Sequence, residues 1–388
     1  MAASSLTASR RAVELITDQL DKPVTDDRQY RVVRLGNQLE VLLASDAKLD
    51  MASAALAVGV GSFRDNGIFG LAHAVEHLLF MGSDKYPADN DFKSFISSHA
   101  GASNASTSPC ATVYHFQITA DSAKTGTKSD ADVQGQPQPS PFYGALDRFS
   151  RFFTSPLFLA STVDREINAV DSEFKLKYQS DDRRLYQLSR SLSNPEHPYN
   201  GFSTGNLQTL RDEPAEWGIE MRAKFVDFHR EHYSANIMKL CVLGKEPLDT
   251  LQEWVADMFS DIPNKDLPQN RWEDVPLWAN DQLPRRVFTR PIMDIRQLRL
   301  SFPFLDEEHL YENRPGEYLA KIIGHEGEGS LQAYLKDKSW AAMVSASTTS
   351  ICPGTPSVLT VEVGLTEAVS CTAPVQNAYL STDRYIGS

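Results

Sequence analysis

Cysteine is scarce: four residues in 388, at positions 110, 241, 352 and 371, with no spacing that suggests pairing. That excludes a disulfide framework and suits free thiols in a reducing compartment. Basic charge is also short, with 38 Lys and Arg against 51 Asp and Glu and a formal net charge of −13. A nucleic-acid partner would need a basic face, so that class is set aside. Long apolar runs are missing too. The longest, MASAALAVGVGSF (51–63), is too short to span a bilayer and reads as a buried strand, so no membrane partner is expected. The first twenty residues lack the apolar core of a secretory signal. Arg10 and Arg11, with no acid before Glu14, make only a faint mitochondrial-targeting pattern, and the cytoplasm is the expected compartment.

The length allows two domains of ordinary size. Residues 1–29 read as an extension without order. YRVVRLGNQLEVLLASD (30–46) reads as two strands turning at Gly36-Asn37, and 51–63 supplies a third. A helical period begins at Leu71 and runs through Val75, Leu78 and Leu79. A second helix is expected from Asp89 or Asn90, strand chemistry over 103–120, a helix at FYGALDRFSRFF, and a long helical stretch from about Ser161 to Leu192. Residues 121–141, polar and without period, read as an exposed inserted loop. The first domain is thus placed at 30–262. The segment 263–284, with four prolines, is the expected linker. A second domain, 285–388, begins with a strand, helical pieces and two more strands, and is expected to be incomplete.

FGLAHAVEHLLFMG (69–82) carries the chemistry. On a helix, positions i, i+3 and i+4 share one face, so His73, Glu76 and His77 point to one small volume. The bland alternative is a solvated polar face. Against it, Leu71, Val75, Leu78, Leu79 and Phe80 nearly surround the three polar residues, which is the pattern of a buried helix. Two imidazoles four residues apart suit zinc, and a glutamate between them can take a proton from a water whose pKa the ion lowers to about 7. Zinc needs a third protein ligand. DREINAVDSEFKLK (164–177) offers Glu166 and Glu173, seven apart and on one helix face; one can ligate while the other supports the site.

With these segments together, the sequence resembles the inverzincin metallopeptidases of the insulysin family. GSFRDNGIFGLAHAVEHLLFMGSDKYP, HAGASNASTS, GALDRFSRFF, DREINAVDSE, NPEHPYNGFSTGN, VLGKE and IIGHEGEGSL carry the likeness, in consistent order from about residue 30 to 366. The resemblance implies an α+β fold, tandem units of a mixed sheet covered by helices, acting as a zinc-dependent endopeptidase on peptides of modest size. It implies one zinc ion per chain held by His73, His77 and Glu173, with Glu76 as general base and Glu166 as a supporting acid. It further implies that Asn104 and Ala105 lie on a strand that pairs with extended substrate. Phe80 and Tyr186 would line side-chain pockets, and Gly324, His325, Glu326 and Gly327 would anchor the substrate's amino terminus.

Arg183 departs from the family pattern, standing where relatives often carry an aromatic residue. Full-length relatives carry four such units enclosing a chamber, so a C-terminal half or partner subunit is an expected partner beside the peptide substrate. A peptide-binding fragment or subunit that does not cleave, or cleaves only with a partner, is the competing expectation. His229 and His232 sit on an amphipathic helix and read as structural or solvated; His99, His115, His197, His309 and His325 are single. GHEGEGSL lacks the Lys-Ser/Thr ending of a phosphate loop, so nucleotide binding there is rejected.

Overall fold

The computed structural model describes residues 12–120, 140–279 and 283–369. Most of the loop expected at 121–141, and residues 370–388, lie outside this range. The chain divides into two compact units, residues 1–172 with 203–269 and residues 173–202 with 270–388. The division falls inside one continuous helix, Ala160–Lys177.

The first unit is built on a seven-stranded sheet. In chain order its strands are β1 (Val13–Thr17), β2 (Gln29–Leu35), β3 (Glu40–Ser45), β4 (Met51–Val58), β5 (Ala102–Thr107), β6 (Thr112–Thr119) and β7 (Met238–Gly244). Their spatial order is β1-β2-β3-β7-β4-β6-β5. Only β3 and β7 run parallel; every other neighbouring pair is antiparallel, so the sheet is mixed. Strict alternation of burial along β4 shows one face of the sheet turned to the core. Helices Leu71–Leu78, Asp91–Ser98, Pro141–Thr154, Met221–His232 and Leu248–Phe259 contribute buried residues to that same core. Its centre is aromatic: Phe92, Phe116, Phe149 and Phe152 meet mostly edge to face, with ring centroids 4.9–6.3 Å apart.

Two expectations are corrected here. Residues 12–29 are not an unstructured extension throughout, because Val13–Thr17 adds a strand to the open side of β2. Val13 packs against the core, but Leu15 and Ile16 remain exposed, so backbone pairing does most to hold that strand, and no apolar period announces it. The long helical stretch is two helices, Ala160–Lys177 and Asp181–Ser191. Ser180 is extended between them, and Asp181 accepts hydrogen bonds from the amides of Ile292 and Met293.

The second unit has a three-stranded antiparallel sheet in the order β8 (Gln297–Pro303), β10 (Val358–Leu365), β9 (Ala341–Thr349). Helices Pro315–Ile323 and Leu331–Asp337 pack on β9, closing a small core around Val344, Val361 and Val363. Both units mix sheet and helix, so the fold is α+β. Among the described residues no helix is long and apolar enough to cross a membrane.

Candidate metal centre and active site

The helix Leu71–Leu78 begins where Gly70 takes a left-handed φ of 89°. Buried Asp65 satisfies the opening turn: its carboxylate accepts from the amides of Gly70 (2.8 Å) and Ala72 (2.9 Å). Leu71, Ala72, Ala74, Val75 and Leu78 are buried and hold the helix in the core, leaving His73, Glu76 and His77 together on one face. The two imidazoles stand edge to face with centroids 4.9 Å apart. His73 places Nδ1 2.7 Å from the carbonyl of Thr204. His77 places Nδ1 3.5 Å from Glu166 Oε2. With both Nδ1 atoms so used, a metal would be taken by Nε2 of each ring. Glu76 is only 6% exposed, and its Oε2 accepts a 2.6 Å hydrogen bond from the Thr107 hydroxyl.

Glu166 and Glu173 come from the continuous helix Ala160–Lys177. Glu166 is buried, which pushes its carboxyl pKa up, but hydrogen bonds with His77 and Arg165 outweigh this and hold it below the ordinary carboxylate value. Arg165 is fixed in turn by Asp89, at 2.8 Å. Glu173, two turns further on, pairs with Lys177. Ligand atoms of His73, His77 and Glu173 lie within 4.8 Å of one another. Two imidazole nitrogens and one carboxylate oxygen, with a hydrogen-bonded acid behind one histidine, form a donor set that fits zinc.

The profile described as Insulinase (Peptidase family M16) matches residues 40–196, and that described as Peptidase M16 inactive domain matches 221–379. The chain belongs to the M16 insulinase family. It is 42% identical over 352 residues to the A-factor-processing enzyme of Saccharomyces cerevisiae, covering 89% of this chain and 32% of that protein. It is likewise 42% identical over 330 residues to the insulin-degrading enzyme of Homo sapiens, covering 85% and 30%. The crystal structure of pitrilysin superposes with a TM-score of 0.80 at 30% identity, covering 92% of this chain and 36% of that one. The chain spans about a third of the length of the curated relatives it matches.

The remaining candidate residues of this M16 chain fall in both units. Asn104 is exposed and Ala105 half-buried on β5, the marginal strand of the seven-stranded sheet. Phe80, just past the motif helix, is buried against Phe92, Phe152 and Tyr114, with the Lys93 ammonium over its ring. Tyr186 lies in the second unit on the helix Asp181–Ser191, where its hydroxyl accepts from Arg190. Gly324 ends the helix Pro315–Ile323 of that unit. His325 Nδ1 then accepts from the Gly327 amide, and Glu326 is exposed beside it. No local sequence pattern marks Asp65, Arg165, Thr107 or the Thr204 carbonyl as part of the site. Each acts through a bond to a residue already singled out or to that residue's helix, and none belongs to a periodic pattern.

Proposed function

We propose that this chain carries the catalytic site of a zinc-dependent metalloendopeptidase acting on peptides of modest size. The donor set of His73, His77 and Glu173 carries the reading. Bound zinc would supply a Lewis acid that polarises the scissile carbonyl and acidifies water. Around it, the Thr204 carbonyl and Glu166 fix the tautomer and tilt of the two imidazoles. Glu76 lies between these ligands on the same helix face, and it takes the proton of the attacking water and passes it to the leaving amine. β5 offers its outer edge to an extended peptide along Asn104 and Ala105, so main-chain pairing contributes binding with little sequence preference. In the same reading Phe80 and Tyr186 bound side-chain pockets, and Gly324–Gly327 hold the peptide's amino end. A C-terminal half or partner subunit would complete the chamber, and the cytoplasm is the compartment we assign.

The test uses an internally quenched peptide with the zinc-loaded chain, with and without a chelator. Cleavage that the chelator stops, and that Glu76→Gln abolishes while zinc content stays unchanged, is the expected outcome. Activity surviving Glu76→Gln would sink the mechanism. Zinc binding without any cleavage by the unaltered chain would favour a peptide-binding chain that depends on a partner for turnover.

A further inference from the structure

We propose that Thr107 is a positioning residue for Glu76, coupling the peptide-docking strand to the base; this rests on the reading of Glu76 given above. Thr107 is the last residue of β5, and its Oγ1 donates to Glu76 Oε2 at 2.6 Å. A carboxylate buried to this degree has little water to orient it, so a single short hydroxyl bond decides which oxygen faces the reacting volume. The hydroxyl itself has little freedom. The turn that follows it is closed by bonds between Ser108 and Ala111, and that turn is fastened to the segment leading into the motif helix. The Ser62 amide donates to the Ser108 carbonyl at 3.1 Å, and the Phe63 amide to the Pro109 carbonyl at 2.9 Å. The contact is close enough that a Cβ at Gly61 would lie 2.0 Å from the Ser108 oxygen.

Two residues past Phe63, Asp65 caps the helix that carries Glu76. One short stretch, 61–65, therefore holds both the helix bearing the base and the turn bearing its hydroxyl partner. A peptide pairing along β5 would stiffen the strand whose final side chain holds the carboxylate. Thr107 thus belongs to turnover rather than to zinc or substrate affinity.

The experiment compares Thr107→Val, which removes the hydroxyl at nearly constant shape, with Thr107→Ser, which restores it. Kinetics are measured on the zinc-loaded full chain with the quenched peptide, and zinc stoichiometry and urea midpoints are measured alongside. Thr107→Val is expected to lower kcat about ten- to a hundredfold, as loss of a supporting partner does, with KM and zinc content held. Thr107→Ser is expected to recover most of that loss. An unchanged kcat in Thr107→Val, or no recovery in Thr107→Ser, overturns the proposal. Should Thr107→Val fail to fold, Thr107→Ala takes its place under the same criteria. If the unaltered chain cleaves nothing, its turnover depends on a partner, and the kinetic comparison no longer reads the role of Thr107. The bond is then tested by combining Thr107→Val with Glu76→Leu: non-additive urea midpoints support the positioning contact, and additive ones overturn it.

Discussion

Each imidazole of the motif helix is held from behind by a different kind of group. His73 rests on a backbone carbonyl, which cannot be titrated, whereas His77 faces the Glu166 carboxylate. Glu166 is therefore the adjustable half of the pair. Replacing it by Gln keeps the shape and removes the charge that Arg165 and His77 both use. Zinc affinity is expected to weaken by about ten- to a hundredfold, measured by competition with a chelator of known affinity. A variant that bound zinc as the unaltered chain does would show the contact to be incidental. At this scale the sequence was partly legible. The spacing of His73, Glu76 and His77 brings three side chains to one helix face by geometry alone, and the seven-residue step from Glu166 to Glu173 does the same. The Thr204 carbonyl lies 131 positions from His73, and Thr107 lies 31 from Glu76. Bonds of that reach follow from the folded chain, not from any local pattern.

The motif helix enters the core through a close backbone contact. Gly70 is left-handed, and a Cβ there would sit 2.3 Å from the Gly205 Cα. Since Gly205 follows Thr204, the same contact brings the Thr204 carbonyl up to His73. Gly70→Ala meets both penalties, an unfavourable φ and a clash with main chain that cannot rotate away. It is expected to lower the unfolding free energy by about 2 kcal/mol or more and to reduce zinc affinity with it. Urea titration and zinc binding of the variant check this; a stable variant with normal zinc affinity would contradict it. The elements that the sequence announced are those with a buried face: β4 lies in the longest apolar run, and the motif helix is apolar on nearly every side. β1 was hidden because its side chains are largely exposed. The break at Ser180 was hidden because Asp181 is held by the amides of Ile292 and Met293, more than a hundred residues away.

Across the whole molecule, each unit carries a histidine kept neutral by its surroundings. Burial pushes His229 of the first unit down to about 4, although the Phe152 carbonyl pulls the other way. Burial, reinforced by Arg190, pushes His197 of the second unit down to about 4 as well. Unfolded, both would titrate near the ordinary 6.5. As pH falls from 6.5 towards 4, the unfolded chain takes up protons that the folded chain refuses. Stability is thus fully present above 6.5 and is lost progressively down to 4. The slope reaches at most about 1.4 kcal/mol per pH unit for each histidine. Urea midpoints at pH 7 and pH 5 test the sign: the lower pH should give the lower midpoint, and a rise would contradict the assignment.

The two margins of the seven-stranded sheet are unlike. β1 presents the exposed charge of Glu14, and its pairing with β2 shifts register between Leu15 and Thr17, features that discourage further strand addition. β5, Ala-Ser-Asn-Ala-Ser-Thr, has no charge, no proline and no break in its register with β6. An edge that could pair with a peptide could equally pair with another molecule of its own kind. Because only one margin of this sheet invites pairing, such self-recognition would join like edge to like edge across a two-fold axis. Within this sheet it would close at a pair instead of propagating into a fibre.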